Sequence, residues 1–85
     1  MKSVVVTIRG ERYITLDAAA ECYECEVTWV EQVYSFGLLG PGEQVGAGIA
    51  IRTSMLERLA RIVALCRYQG LELDAAAAIL LIDED

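Results

Sequence analysis

Between Thr15 and Pro41 the chain sets down two short helical patterns, separated by four residues and stopped by a glycine. Thr15 is a plausible N-cap for a helix from Leu16 to about Cys22, with Leu16, Ala19 and Ala20 on one face and Asp17 and Glu21 on another. Asp17 also falls in the first turn, where the helix dipole favours an anion. The second helix runs from about Val27 to Phe36, and Gly37 supplies the C′ residue that ends it. Its broad apolar side is Trp29, Val30, Val33, Tyr34 and Phe36; its wet side is Thr28, Glu31, Gln32 and Ser35. Cys25 stands where an apolar residue would pack on Val30 as a hydrophobic staple. Two short helices joined by Tyr23 to Glu26 have the pattern of a helix-turn-helix.

The flanking segments read as a small sheet and two more helices. Val4 to Ile8 is a β-branched strand bounded by a turn at Gly10-Glu11. Gln44 to Ile51, with Gly46 and Gly48, reads as a hairpin that returns as a strand and pairs with the N-terminal one to make a wing. Ser54 and Glu57 make a capping box for a helix reaching Gln69 and ended by Gly70. In that helix Leu56, Leu59, Ile62, Val63 and Cys66 form the buried stripe, and Arg58, Arg61 and Arg67 the exposed one. Asp74 caps a last helix, Ala75 to Ile82. The expected fold is mainly α with a small β element: about four helices, a two- or three-stranded antiparallel sheet, and a winged helix-turn-helix plan. One domain is divided into an N-terminal strand (1–12), the helix-turn-helix (13–39), the wing (40–53) and two C-terminal helices (54–82).

Composition narrows the chemistry. The 85 residues contain no histidine, which excludes Ser-His-Asp and Cys-His catalysis and any histidine-containing zinc site. Three cysteines are an odd count that fits reduced thiols and a cytoplasmic location. Cys22 and Cys25 have C-x-x-C spacing, but no second pair and no βαβ context accompany them, and the expectation is a non-enzyme without metal or cofactor. No apolar run approaches the length of a signal peptide core or a membrane span.

The net charge is −6, and its distribution says more than its sum. From Tyr13 to Ile51 there are six acids (Asp17, Glu21, Glu24, Glu26, Glu31 and Glu43) and no lysine or arginine. A helix that reads a major groove needs cations for the phosphates and donors for base edges. Here the second helix offers Gln32 beside Glu31. The pattern argues against nucleic acid and for an acidic face that docks a basic protein. The competing regulator reading requires Arg9, Arg12, Arg52, Arg58, Arg61 and Arg67 to form a one-sided phosphate-binding stripe.

Val30-Glu31-Gln32-Val33-Tyr34-Ser35-Phe36-Gly37-Leu38-Leu39-Gly40-Pro41 resembles the MerR-type DNA-binding segment Leu-Arg-Tyr-Tyr-Glu-x-x-Gly-Leu-Leu-x-Pro. Arg58-Leu59, Ile62 and Leu65, followed by Gly70 and Leu73, extend the resemblance to most of the chain. The departures matter: the family's phosphate-directed arginine is Glu31 here, the aromatic positions after it are Gln32 and Val33, and the wing reads Gly46-Ala47-Gly48-Ile49-Ala50-Ile51. Short, acidic and MerR-like, with Leu71-Glu72-Leu73-Asp74 near its end, the chain is similar to the CbpM group of chaperone modulators. That resemblance implies binding to the J domain of a DnaJ/CbpA-type co-chaperone and restraint of its action on DnaK; a homodimer is among the assemblies it admits. J domains carry a basic helix that docks on DnaK, so an acidic cap would compete by charge. From composition and helical face, the docking residues are Asp17, Glu21, Glu24 and Glu31, with Trp29 either core or an anchor. Reversing the charge of Glu24 and Glu31 is then expected to abolish J-domain binding without unfolding the domain.

Overall fold

The computed structural model describes residues 5–83, without the side chain of Asp83; Val4, Glu84 and Asp85 of the expected strand and acidic ending lie outside them. The order is β1 (Val5–Ile8), β2 (Glu11–Thr15), α1 (Leu16–Cys22), α2 (Val27–Ser35), β3 (Glu43–Val45), β4 (Gly48–Arg52), a 3₁₀ turn (Thr53–Met55), α3 (Leu56–Tyr68) and α4 (Leu73–Asp83). Among the described residues four helices accompany a four-stranded antiparallel sheet, one or two strands more than the sequence suggested.

The additional strand is β2, and it corrects the expected wing. Arg9 and Gly10 both take positive φ, +51° and +82°, and form the two-residue turn that suits the twist of a hairpin. The chain therefore folds straight back after Ile8, and the returning segment takes the inner place in the order β1-β2-β4-β3. The β3–β4 hairpin does form, but β4 pairs with β2 (Ile14 opposite Ile51) instead of with the N-terminal strand. Ile14 joins the helical core; Tyr13, on the opposite face of β2, is also buried, beside the Arg52–Glu11 ion pair at 3.0 Å. Its hydroxyl and then the Glu11 carboxylate hold the Arg52 guanidinium above its ordinary range.

Helix ends follow local chemistry where a cap exists. The Ala18 N–H donates to Thr15 Oγ1 at 3.3 Å, so the expected cap of α1 is made. Gly37 (φ +80°) and Gly70 (φ +69°) follow α2 and α3 in the left-handed conformation open to glycine. The capping box at Ser54 is not made: β4 enters α3 through the 3₁₀ turn, and neither start carries a side-chain cap bond. In α4, Asp74 lies in the first turn and accepts from the Ala75 N–H, since the helix begins at Leu73. The core is closed by Leu16 and Ala19 of α1, Val30 and Val33 of α2, Leu38 and Leu39 after it, Leu59 and Ile62 of α3, and Ala76 and Leu80 of α4. Phe36, assigned to the apolar side of α2, is exposed at the helix end. Also exposed are Ile79, Leu81 and Ile82 of α4. No helix among the described residues is long and apolar enough to cross a membrane.

Gly42 couples α2 to the β3–β4 hairpin. Its N–H donates to Tyr34 Oη at 3.2 Å, and a Cβ there would lie 2.8 Å from Ile49 Cγ2 and 2.9 Å from the Ala50 carbonyl oxygen. The carbonyl belongs to a paired strand and cannot swing aside as a side-chain tip can. Gly42→Ala is therefore expected to lower stability by about 1–3 kcal/mol, as for an overpacked core site. Urea denaturation checks it; a loss below about 0.5 kcal/mol would show that the hairpin yields freely.

Candidate functional site

The five residues expected at a docking face divide between two grooves. Asp17 and Glu21 stand one turn apart on α1, and Glu31 faces them from α2. Together with the β3–β4 hairpin they line an open groove of about 750 Å³. Its walls are apolar: Leu16 and Ala18 below, Val45, Ala47 and Ile49 from the hairpin, and the Tyr34 ring. Three carboxylates and no lysine or arginine line it. All three acids are solvent-exposed, so they remain available to a partner. The hairpin wall was absent from the sequence reading; Val45 lies between exposed Gln44 and Gly46, which fits a strand but does not show the helices it leans over.

Glu24 and Trp29 lie elsewhere, in a groove of about 370 Å³ between the α1–α2 turn and α3. Cys25, Glu26, Val63, Cys66 and Arg67 complete it. Trp29 is half-buried and packs against the core, so it is not wholly core and part of it stays accessible. Glu24 occupies the left-handed C′ position (φ +56°) that closes α1: the Cys25 N–H donates to Ala20 O at 2.9 Å and the Glu24 N–H to Glu21 O at 3.2 Å. Glycine is the usual residue there, and a non-glycine residue costs about 1–2 kcal/mol. Glu24→Gly is expected to raise stability by about 1 kcal/mol, read as an increase in the urea midpoint; a lower midpoint would mean the glutamate side chain stabilises the turn.

Of the stripe that helical spacing placed outward, Arg61 and Arg67 are exposed and Arg58 is not fully so. Arg58 is half-buried and donates from Nη1 to Leu38 O at 3.0 Å, fastening α3 to the segment after α2. Arg67 donates from Nη2 to Tyr23 O at 3.1 Å and to Glu24 O at 3.3 Å, holding the α1–α2 turn. Arg9 pairs with Glu43 and Arg52 with Glu11, so Glu43 belongs to the sheet and not to either groove. The Tyr23 hydroxyl donates to Leu56 O at 3.2 Å, a further tie to α3.

The cysteines differ in environment. Cys22 is exposed, Cys25 and Cys66 are half-buried, and burial pushes the Cys66 thiol above its ordinary range. A raised thiol pKa lowers the thiolate fraction at any pH beneath it. Iodoacetamide at neutral pH is therefore expected to alkylate Cys22 first and Cys66 last, with Cys66 accelerating only at pH above the usual thiol value near 8.5. Time-resolved mass spectrometry checks this; equal rates for the two would contradict the burial. Among the described residues no three His, Cys, Asp or Glu are grouped to hold a metal ion.

Comparison with family models, curated proteins and solved structures finds no match to this chain.

Proposed function

We propose that this chain is an acidic docking module that binds the J domain of a DnaJ/CbpA-type co-chaperone and restrains its action on DnaK, on a MerR-like winged helix-turn-helix frame. The observation that carries this reading is the α1–α2–hairpin groove, where Asp17, Glu21 and Glu31 surround an apolar floor without a cation. Such a groove suits an amphipathic basic helix: its apolar stripe lies against Ile49, Val45 and Tyr34, and its lysines and arginines meet the carboxylates. Charge complementarity speeds encounter and selects the partner, while the apolar contacts slow dissociation. A J-domain helix seated there is withheld from DnaK, so restraint follows from occupancy alone and needs no chemistry.

The regulator reading is weaker. Arg9, Arg52, Arg58 and Arg67 are engaged with carboxylates or carbonyls of the domain itself. The outward face of α2 offers phosphate an exposed glutamate beside Thr28, Gln32 and Ser35. The test is calorimetry of the chain with a CbpA-type J domain, alongside a gel shift with duplex DNA. The expected result is J-domain binding that weakens with added salt, and no retardation of DNA at physiological salt. DNA binding with a steep salt dependence, and a silent J-domain titration, would overturn the proposal in favour of a regulator.

A further inference from the structure

The Trp29 groove has a chemistry of its own. Trp29 and Glu31 are two residues apart on α2, so at 100° per residue they face nearly opposite sides of the helix. A helix lying in the first groove does not reach the second, and whatever fills the second is a separate segment. We propose that this groove is a subsite for a single cationic side chain, an arginine or a lysine, seated on the Trp29 ring between the carboxylates of Glu24 and Glu26. This goes beyond the docking reading above and does not depend on it.

Three observations select a cation. The floor is apolar and aromatic, formed by half-buried Trp29 with Val63 and Cys66, and indole is the best aromatic face for an ammonium or guanidinium group. Glu24 and Glu26 stand exposed at its rim, and among the described residues neither takes part in an ion pair. The one cation in the lining, Arg67, donates from Nη2 to the carbonyls of Tyr23 and Glu24 and, among the described residues, forms no ion pair with either carboxylate. The lining keeps a net negative charge even with Arg67 counted. An aliphatic side chain would cover two carboxylates without answering them, and an acidic one would be repelled.

Trp29 is the sole tryptophan, so its emission reports this groove without labelling. The experiment titrates the full chain with an acetylated, amidated pentapeptide bearing one central arginine among alanines, and with its citrulline counterpart, which keeps the shape and removes the charge. The arginine peptide is expected to give a saturable change in Trp29 emission and in the indole N–H resonance; the citrulline peptide gives none. The Glu24→Gln/Glu26→Gln variant is expected to bind the arginine peptide about fivefold more weakly, and Asp17→Asn/Glu21→Gln/Glu31→Gln with unchanged affinity. Equal responses to arginine and citrulline, or no saturable response, would overturn the subsite whatever the variants do. A silent J-domain titration would speak against the first groove alone, so the two failures are distinguishable.

Discussion

Leu39→Ala is expected to destabilise the domain by about 2–5 kcal/mol, the range for removing a large aliphatic side chain from a closed core. Leu39 is completely buried and lies in the turn after α2, a segment whose preceding carbonyl, Leu38 O, is fastened to Arg58. The surrounding chain is thus anchored and poorly able to collapse into the cavity, which places the loss in the upper part of that range. A domain of this length has roughly 4–13 kcal/mol of stability in all, so the variant forfeits a large share of it. The thermal midpoint should fall by about 10 °C or more. Leu81→Ala is the matched control: the same atoms are removed from an exposed site on α4, and a change within about 0.5 kcal/mol is expected. Similar losses at both positions would show that α4 is covered in solution by something else.

The same contrast explains how much of the fold was legible. Elements with a local signal were found: Thr15 before α1, Gly37 after α2 and Gly70 after α3 each mark an end by their own chemistry. β2 was missed because its signal is not local. Tyr13 and Ile14 are adjacent and both buried, so the alternation that identifies a half-buried strand is absent. The turn before β2 places Arg9 at positive φ, where Asn or Asp would have announced a hairpin. Without β2, the wing had only the N-terminal strand to pair with. The arginines were half legible for a related reason: helical periodicity puts Arg61 and Arg67 on the exposed edge of α3, where they lie, but the side chains of Arg58 and Arg67 return to carbonyls 20 and 44 residues away. A helical wheel cannot see a bond across that distance.

The candidate site was legible to the extent that it sits on one helix face. Asp17 and Glu21 are four residues apart on α1, a spacing that guarantees neighbours. Glu31 joins them because α2 packs against α1. Glu24 and Trp29 went elsewhere because α1 closes with a left-handed residue at Glu24, which turns the chain before α2 starts. Reversing Glu24 with Glu31, the pair the sequence alone suggested, would therefore perturb two separate surfaces at once.

The discriminating variant confines the change to one groove. In the proposed docking, Asp17→Lys/Glu21→Lys/Glu31→Lys is expected to weaken J-domain binding by at least about a hundredfold, because three attractive contacts would become repulsive and the association rate would lose its steering. The fold should persist, since all three side chains are exposed and the largest structural effect, a cation in the first turn of α1, costs about 0.3–1 kcal/mol. Bulk charge is the competing explanation, because three reversals take the chain from −6 to neutral. Reversing Glu57 and Glu72, exposed and outside both grooves, supplies the control. Calorimetry at two salt concentrations separates the explanations: a local groove loses affinity with the triple variant and retains it with the control. A control as damaging, charge for charge, as the triple variant would mean that the partner senses only the field of the whole molecule.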